Sequence, residues 1–268
     1  MTPPPLAVVR RENAFREKLA NDEPVFGAAA GTFSPTMVET FGAVGVDFVW
    51  LDFEHAGGTP EDSAVFETLS RAAEVSDTEL LVRLPTGEPP LIRKVLDAGV
   101  RNLLVPRVET AEEVREAVEA TRFSYDGSPG SRGIGAARTS RWGVDLDEGY
   151  ADEEDDAVCV GVMIENRTAV ENIEEILSVP DLGFVFIGPA DLSVSFDRPM
   201  ETDSPELREA IETVEDAARD TDVDLGSIRE TVADAENAIE DGYRVIRVGS
   251  DLGAARSVLG DRLEALRR

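Results

Sequence analysis

The sequence predicts an α/β fold, a (β/α)₈ barrel, and three observations carry that expectation. Strand-like runs alternate with helical runs eight times along 268 residues, the rhythm of βα units wound into a parallel sheet. The strand runs are β-branched and continuous rather than alternating, as parallel strands covered on both faces require. No glycine-rich turn follows the first strand, which weighs against a doubly wound sheet. The length suits one large core, so a single barrel domain over residues 1–268 is expected.

In chain order, a proline-rich start leads into an amphipathic helix at Leu6–Ala20. Val25–Phe33 is the first strand, and Ser34-Pro35 opens the next helix as an N-cap and N1 pair. Asp47–Glu54 is the second strand, ending at His55, with a helix from Pro60 to Val75. Glu79–Leu84 is the third, followed by a helix at Leu91–Ala98 that Gly99 stops. Asn102–Val108 is the fourth, with its helix at Ala111–Thr121. The segment Phe123–Ala157 breaks the rhythm. Its glycines 127, 130, 133 and 135 with Arg132, Arg138 and Arg141 read either as an anion cradle or as a surface excursion. Val158–Glu165 is the fifth strand, before a helix at Thr168–Ser178. The sixth runs through Phe186-Ile187-Gly188-Pro189-Ala190 and ends at Asp191. Leu225–Ile228, the seventh, lies between helices at Pro205–Arg219 and Thr231–Glu240; Tyr243–Gly249 is the eighth, and a last helix closes the chain.

Composition excludes several function classes. Fifty-five Asp and Glu against 26 Lys and Arg leave a net charge of −29, which argues against nucleic acid or an anionic membrane as partner. No apolar run approaches a membrane span and no signal-peptide pattern opens the chain, so a cytoplasmic protein is expected. Lys18 and Lys94 are the two lysines. Dense acid spread over the whole chain, with lysine scarce, suits a halophilic surface that high salt screens. Cys159 is the single cysteine and reads as packing in an apolar strand.

The chemistry is expected at the strand ends, where a barrel delivers its side chains to a site. Glu165 and Asp191 end consecutive strands and together form a hard-oxygen clamp for a divalent cation. Taken alone, Asp191 reads equally as a helix cap before LSVSF. His55, the only histidine, is a candidate proton carrier. Arg83 ends the third strand, where a buried cation needs a partner, either an anionic substrate or a structural carboxylate. Neither lysine is at a strand end, which argues against a Schiff base.

These residues fall within a wider pattern. LDFEH, VRLP, LDAG, VPRVETAEEV, SRGIGAAR, MIEN and GPADLS occur in that order from about Val25 to Ser250. The set resembles the HpcH/HpaI aldolase family, metal-dependent class II pyruvate aldolases. The resemblance implies cleavage of a 4-hydroxy-2-oxo acid to pyruvate and an aldehyde, with Mg²⁺ or Mn²⁺, or Co²⁺ as a third option. It implies that His55 is the base, Arg83 the stabiliser of the transition state, and Glu165 and Asp191 the metal ligands. Ala190 and Asp191 then border the 2-oxo acid, and Asp97 raises the basicity of the histidine. The family usually has glutamine where Met163 stands against the substrate, and a thioether has no amide hydrogen to donate. Other readings are an acyl-CoA lyase of the citrate lyase β or malyl-CoA lyase type, and a non-catalytic barrel homologue. Asp97 ends a helix at the N-terminal face, whereas His55 ends a strand at the opposite one. A strand spans roughly 17–20 Å, so the pair is expected to meet across subunits of a homo-oligomer, a hexamer or another multiple of a dimer or trimer.

Overall fold

The computed structural model describes residues 12–268; the expected helix at Leu6–Ala20 starts at Ala14 behind the N-cap Asn13 and runs to Ala20, while residues 6–11 lie outside the described ones. Eight parallel strands close into a barrel. Numbered for the barrel alone, they are β1 Val25–Ala30, β2 Phe48–Asp52, β3 Glu79–Arg83, β4 Asn102–Val105, β5 Cys159–Ile164, β6 Phe184–Ile187, β7 Asp224–Ile228 and β8 Tyr243–Ser250. Each pairs with its sequence neighbours, and β8 returns to β1 with Val25 opposite Val245. The (β/α)₈ expectation holds. The first six strands end earlier than the apolar runs suggest, because the chain turns off into loops once it clears the sheet; the seventh ends at the expected Ile228 and the eighth runs on to Ser250.

Two apolar layers result from the two faces of each strand. Outward residues such as Val49, Leu51, Leu80, Val82 and Val160 pack under the helices. Inward residues fill the lumen: Val25, Phe48, Trp50, Leu81, Leu104, Cys159, Met163, Phe184, Phe186 and Val245. Large rings fit there because glycine faces them. A Cβ on Gly27 would come within 2.2 Å of the Phe48 ring, and one on Gly161 within 2.2 Å of the Phe184 ring. Phe15, from the first helix, meets Phe48 edge-on at 5.4 Å and Phe184 at 5.9 Å. Asn13 anchors that helix under the barrel, its amide donating to Asn102 at 2.7 Å and to the Ala157 carbonyl at 2.8 Å. Among the described residues the N-terminal end is therefore plugged, which leaves the C-terminal mouth as the way into the lumen.

Local signals explain most element ends. Thr110 and Glu113 form a reciprocal capping box that starts the helix Ala111–Glu119. Gly45 and Gly99, at φ 95° and 104°, end their helices in the left-handed region. The expected helix Thr168–Ser178 is two short ones, Arg167–Glu171 and Ile173–Leu177. The chain leaves helical geometry at Asn172, whose amide instead donates to the Glu109 carbonyl at 2.9 Å. The seventeen-residue helix Asp251–Arg267 has no fully buried side chain.

The long segment is more ordered than a plain excursion. It holds a two-stranded hairpin, Ser124–Tyr125 with Ser128–Pro129, and a helix at Tyr150–Ala157. Each of its three arginines holds an acid of its own chain, although Arg132 keeps Nε and Nη1 buried without a hydrogen-bond partner. Arg132 pairs with buried Glu154 at 3.1 Å, Arg138 with Glu74 at 2.6 Å, and Arg141 with Asp145 at 2.5 Å.

At the plugged end, burial pushes the Asp224 carboxyl up to about 6, Arg244 opposing this and Asp22 adding to it. The unfolded value is 3.8, so the native state holds the extra proton between these two values. Stability therefore declines as pH rises through that window and stays low above it. Asp224→Asn is expected to raise Tm relative to wild type at pH 7 and to give no gain near pH 3.5. An equal difference at both pH values in thermal melts would refute the assignment.

Candidate active site

The uppermost lumen layer is polar. Asp52 and Arg83 end neighbouring strands in direct register, and period two sends both inward above Trp50 and Leu81. The guanidinium forks onto Asp52, Nε donating at 3.0 Å and Nη2 at 2.5 Å. Its Nη1 lies 3.1 Å from Glu54 Oε2 and 3.5 Å from Met163 Sδ. Structural carboxylates thus supply the partner that a buried arginine requires. Burial works against the charge on Arg83, but the Asp52 hydrogen bonds and the charges of Asp52, Glu54 and Glu165 outweigh it and hold the pKa above its usual value. Burial likewise opposes ionisation of Asp52, and the Arg83 bonds, with the backbone N–H groups of His55 and Glu54, bring its pKa below the usual range.

Asp52 has a second task. Its Oδ1 accepts the N–H of Glu54 at 3.1 Å and of His55 at 3.2 Å, folding the chain into a turn as it leaves the sheet. That turn carries His55 to the rim, where its side chain is 60% exposed and Nε2 lies 3.6 Å from Glu54 Oε2.

Glu165 directly follows β5 and is only 4% exposed. Its Oε1 accepts the Arg107 N–H at 2.7 Å. Arg107 holds φ 59° to present that group, a conformation that costs a non-glycine residue energy. Glu165 Oε2 is buried and has no hydrogen-bond partner. Burial raises the Glu165 pKa, as do the charges of Glu54 and Asp191; the Arg107 N–H and Arg83 oppose the rise. A Cβ on Gly188 would stand 3.1 Å from that same Oε2, so glycine keeps the space beside it open.

Asp191 is not the end of a strand. β6 stops at Ile187, and Asp191 is in the first turn of the helix Pro189–Ser195, with Ala190 beside it and both side chains exposed. Nor does it cap that helix, since Gly188 holds the N-cap position. Its charge still reaches Glu165.

A divalent cation fits this arrangement. The unpartnered Glu165 oxygen and the mutual repulsion of Glu165, Glu54 and Asp191 mark a place where positive charge is missing, and the donors are hard oxygens. No cluster of three or more His, Cys, Asp or Glu suited to a metal occurs among the described residues. Glu165 and Asp191 would be the protein ligands, with the remaining positions open.

Met163 is buried in the lumen with its sulfur toward Arg83. Met163→Gln is expected to raise kcat/KM on 4-hydroxy-2-oxo acids about fivefold, the worth of one hydrogen bond of about 1 kcal/mol. An unchanged or lower value would mean that the pocket is shaped to the thioether.

Asp97 is far from this group. Its surroundings are Arg132, Glu154, Arg93 and Gly135 at the N-terminal face, and burial there raises its pKa. It makes no hydrogen bond or ion pair with His55 of its own chain. Lys18 pairs with Asp47 at 2.6 Å, and burial pushes the Cys159 thiol up to about 12, which takes both out of any mouth chemistry.

Sequence reasoning passed over Asp52 and Glu54, although both stand in the DFEH run beside His55. It also passed over Trp50 and Arg247. Arg83 and Arg247 lie over the same indole, at 5.8 Å and 5.6 Å from its centroid.

Known proteins resemble this chain in sequence and in fold. The family model for HpcH/HpaI aldolase/citrate lyase matches residues 29–257. A protein of Klebsiella pneumoniae named 2-keto-3-deoxy-L-rhamnonate aldolase is 36% identical over 251 residues, covering 94% of this chain and 92% of the relative. Its counterpart in Escherichia coli K12 is 35% identical over 253 residues, with the same coverage. The crystal structure of an HpcH/HpaI aldolase/citrate lyase family protein from Burkholderia cenocepacia superposes with a TM-score of 0.87 at 31% identity, covering 96% of this chain and all of that one. The chain belongs to the HpcH/HpaI aldolase/citrate lyase family and is a carbon–carbon lyase of the aldolase kind.

Proposed function

We propose that the protein cleaves a 4-hydroxy-2-oxo acid to pyruvate and an aldehyde, with Glu165 and Asp191 holding a divalent cation. The observation that carries this is the buried, unpartnered Glu165 oxygen among repelling acids, facing Arg83. Relatives named for a 2-keto acid support the substrate class. When bound, Mg²⁺ or Mn²⁺ supplies positive charge beside the 2-oxo group.

The side chains of the chain divide the remaining work. His55 accepts the proton of the C4 hydroxyl. The C3–C4 bond then breaks, its electron pair passing toward the 2-oxo oxygen while the C4 oxygen becomes the aldehyde. Arg83 meets that growing negative charge, already fixed in place by Asp52 and Glu54, so no reorganisation is required. Ala190 and Asp191 border the acid, and Met163 forms the apolar wall beneath it. The proton taken up by His55, returned to C3 directly or by way of solvent, completes pyruvate and restores the base. Ionised Asp97 would favour protonated His55 if supplied by a neighbouring subunit, and a homo-oligomer accounts for exposed Ile134, Trp142 and Val144 on the long segment.

An acyl-CoA lyase is the weaker reading, because the arginines nearest a CoA phosphate are held by Glu154, Glu74 and Asp145. No helix among the described residues is long and apolar enough to cross a membrane. With the charge of −29, that supports a cytoplasmic protein adapted to high salt.

Pyruvate release from a panel of 4-hydroxy-2-oxo acids tests the reading. Release is expected to stop with chelator and return with Mg²⁺ or Mn²⁺. Chelator-resistant release would remove the cation from the reading, and no release from any substrate would end it.

A further inference from the structure

We propose that Arg247 selects the aldehyde half of the substrate by pairing with a carboxylate carried there. The inference rests on the pyruvate-aldolase reading above and adds to it a residue and a substrate class.

Val245 belongs to the lumen cluster, so Arg247, two residues further along β8, enters the barrel on the same face and one layer higher. In the closed sheet β8 lies three strands from β5 on one side and three from β3 on the other. Arg247 therefore stands across the mouth from both Glu165 and Arg83. The Trp50 ring floors the space between the two guanidiniums.

What sets Arg247 apart is its lack of a partner. Its side chain makes no hydrogen bond or ion pair among the described residues, and its Nε is buried with none. Arg83 is held by two carboxylates, and the arginines of the long segment by one each. Burial lowers the Arg247 pKa, and Arg83 adds to that; the charges of Glu230 and Asp52 only partly offset it. A guanidinium does not give up its proton in a protein, so the cost persists as a charge only partly compensated until an anion arrives.

The geometry of the mouth says which anion and on which end. The 2-oxo acid end is committed to the Glu165, Asp191 and Arg83 side. The carbons beyond C4 must run from there toward the opposite wall, where Arg247 waits above the indole. A planar guanidinium fork matches a carboxylate. Asp52, Glu54, Glu165 and Glu230 surround the mouth with negative charge, and a single guanidinium set among them suits a single negative charge better than a phosphate dianion.

The test runs in the synthetic direction, with pyruvate, Mg²⁺ and paired acceptors of equal length, succinic semialdehyde against butanal. Wild-type kcat/KM is expected to favour the carboxylate acceptor roughly ten- to hundredfold, the worth of a charge-assisted hydrogen-bonded pair. Arg247→Gln should bring that ratio to within about threefold of one, and Arg247→Lys should restore part of it, as an ammonium keeps the charge without the fork. A wild-type ratio near one overturns the proposal, and so does an Arg247→Gln variant that lowers both acceptors equally. Exchange of the pyruvate C3 protons with solvent deuterium, read by NMR without any acceptor, separates the two levels. Wild-type exchange with no acceptor preference refutes Arg247 alone; neither exchange nor aldol product refutes the aldolase reading and this inference with it.

Discussion

Glu165→Gln is expected to reduce pyruvate release to background while leaving the fold intact. The amide fills the same space beside Gly188 and keeps an oxygen for the Arg107 N–H, so packing changes little. It does remove the charge that would bind a cation. Melting curves separate that loss from a folding defect. Wild type should gain stability as Mg²⁺ or Mn²⁺ is added, by about 2.7 kcal/mol at a hundredfold excess over Kd. The variant should show no such gain, and without metal it should melt no lower than wild type, because a buried, poorly compensated charge has gone. A variant that still responds to metal, or that retains turnover, would overturn the ligand assignment.

His55→Ala is the second large effect. Turnover should fall by roughly 10²–10⁴-fold, the usual worth of a positioned acid–base group. With its side chain 60% exposed, stability should stay within about 0.5 kcal/mol of wild type, and the metal-induced rise in Tm should persist. Lost metal response with normal turnover would reverse the roles of His55 and Glu165. Mixing His55→Ala with Asp97→Ala subunits tests the shared site, since a hybrid carries one intact pairing. Recovery of part of the activity is expected. None, despite demonstrated subunit exchange, would exclude the shared pairing.

The barrel was legible because parallel strands buried on both faces leave short, continuous, β-branched runs, such as VCVGVMI, recurring between helical stretches. The site was legible in part. Glu165 and Arg83 end such runs, so their place at the mouth followed from the strand pattern. Asp191 was placed a turn too early because the apolar character of FIGPA continues beyond the sheet. The corrective signal was Gly188-Pro189, since proline favours the first helical position. Pairings across strands were out of reach. That Asp52 clamps Arg83 depends on register, and that Arg247 has no partner depends on every other strand at once. Charge counting met the same limit: that Arg132 and Arg138 hold Glu154 and Glu74, 22 and 64 residues away, could not be read from the glycine-rich stretch itself.

The last helix, none of whose side chains is fully buried, has a bearing on how the protein can be observed. Its first turn is tied to the barrel by Asp251, which accepts the Gly31 N–H at 2.8 Å, and by Leu252 against Gly31. Beyond that turn, a lone chain of this length is close to balance between helix and coil in water. Its amide protons should therefore trade with solvent deuterium far faster than those of the barrel strands, and without waiting for global opening. Leu259, Leu263 and Leu266 are exposed along it, so slow exchange there would report that another surface has covered them. Following those amides against protein concentration would turn a weakly anchored helix into a gauge of self-association.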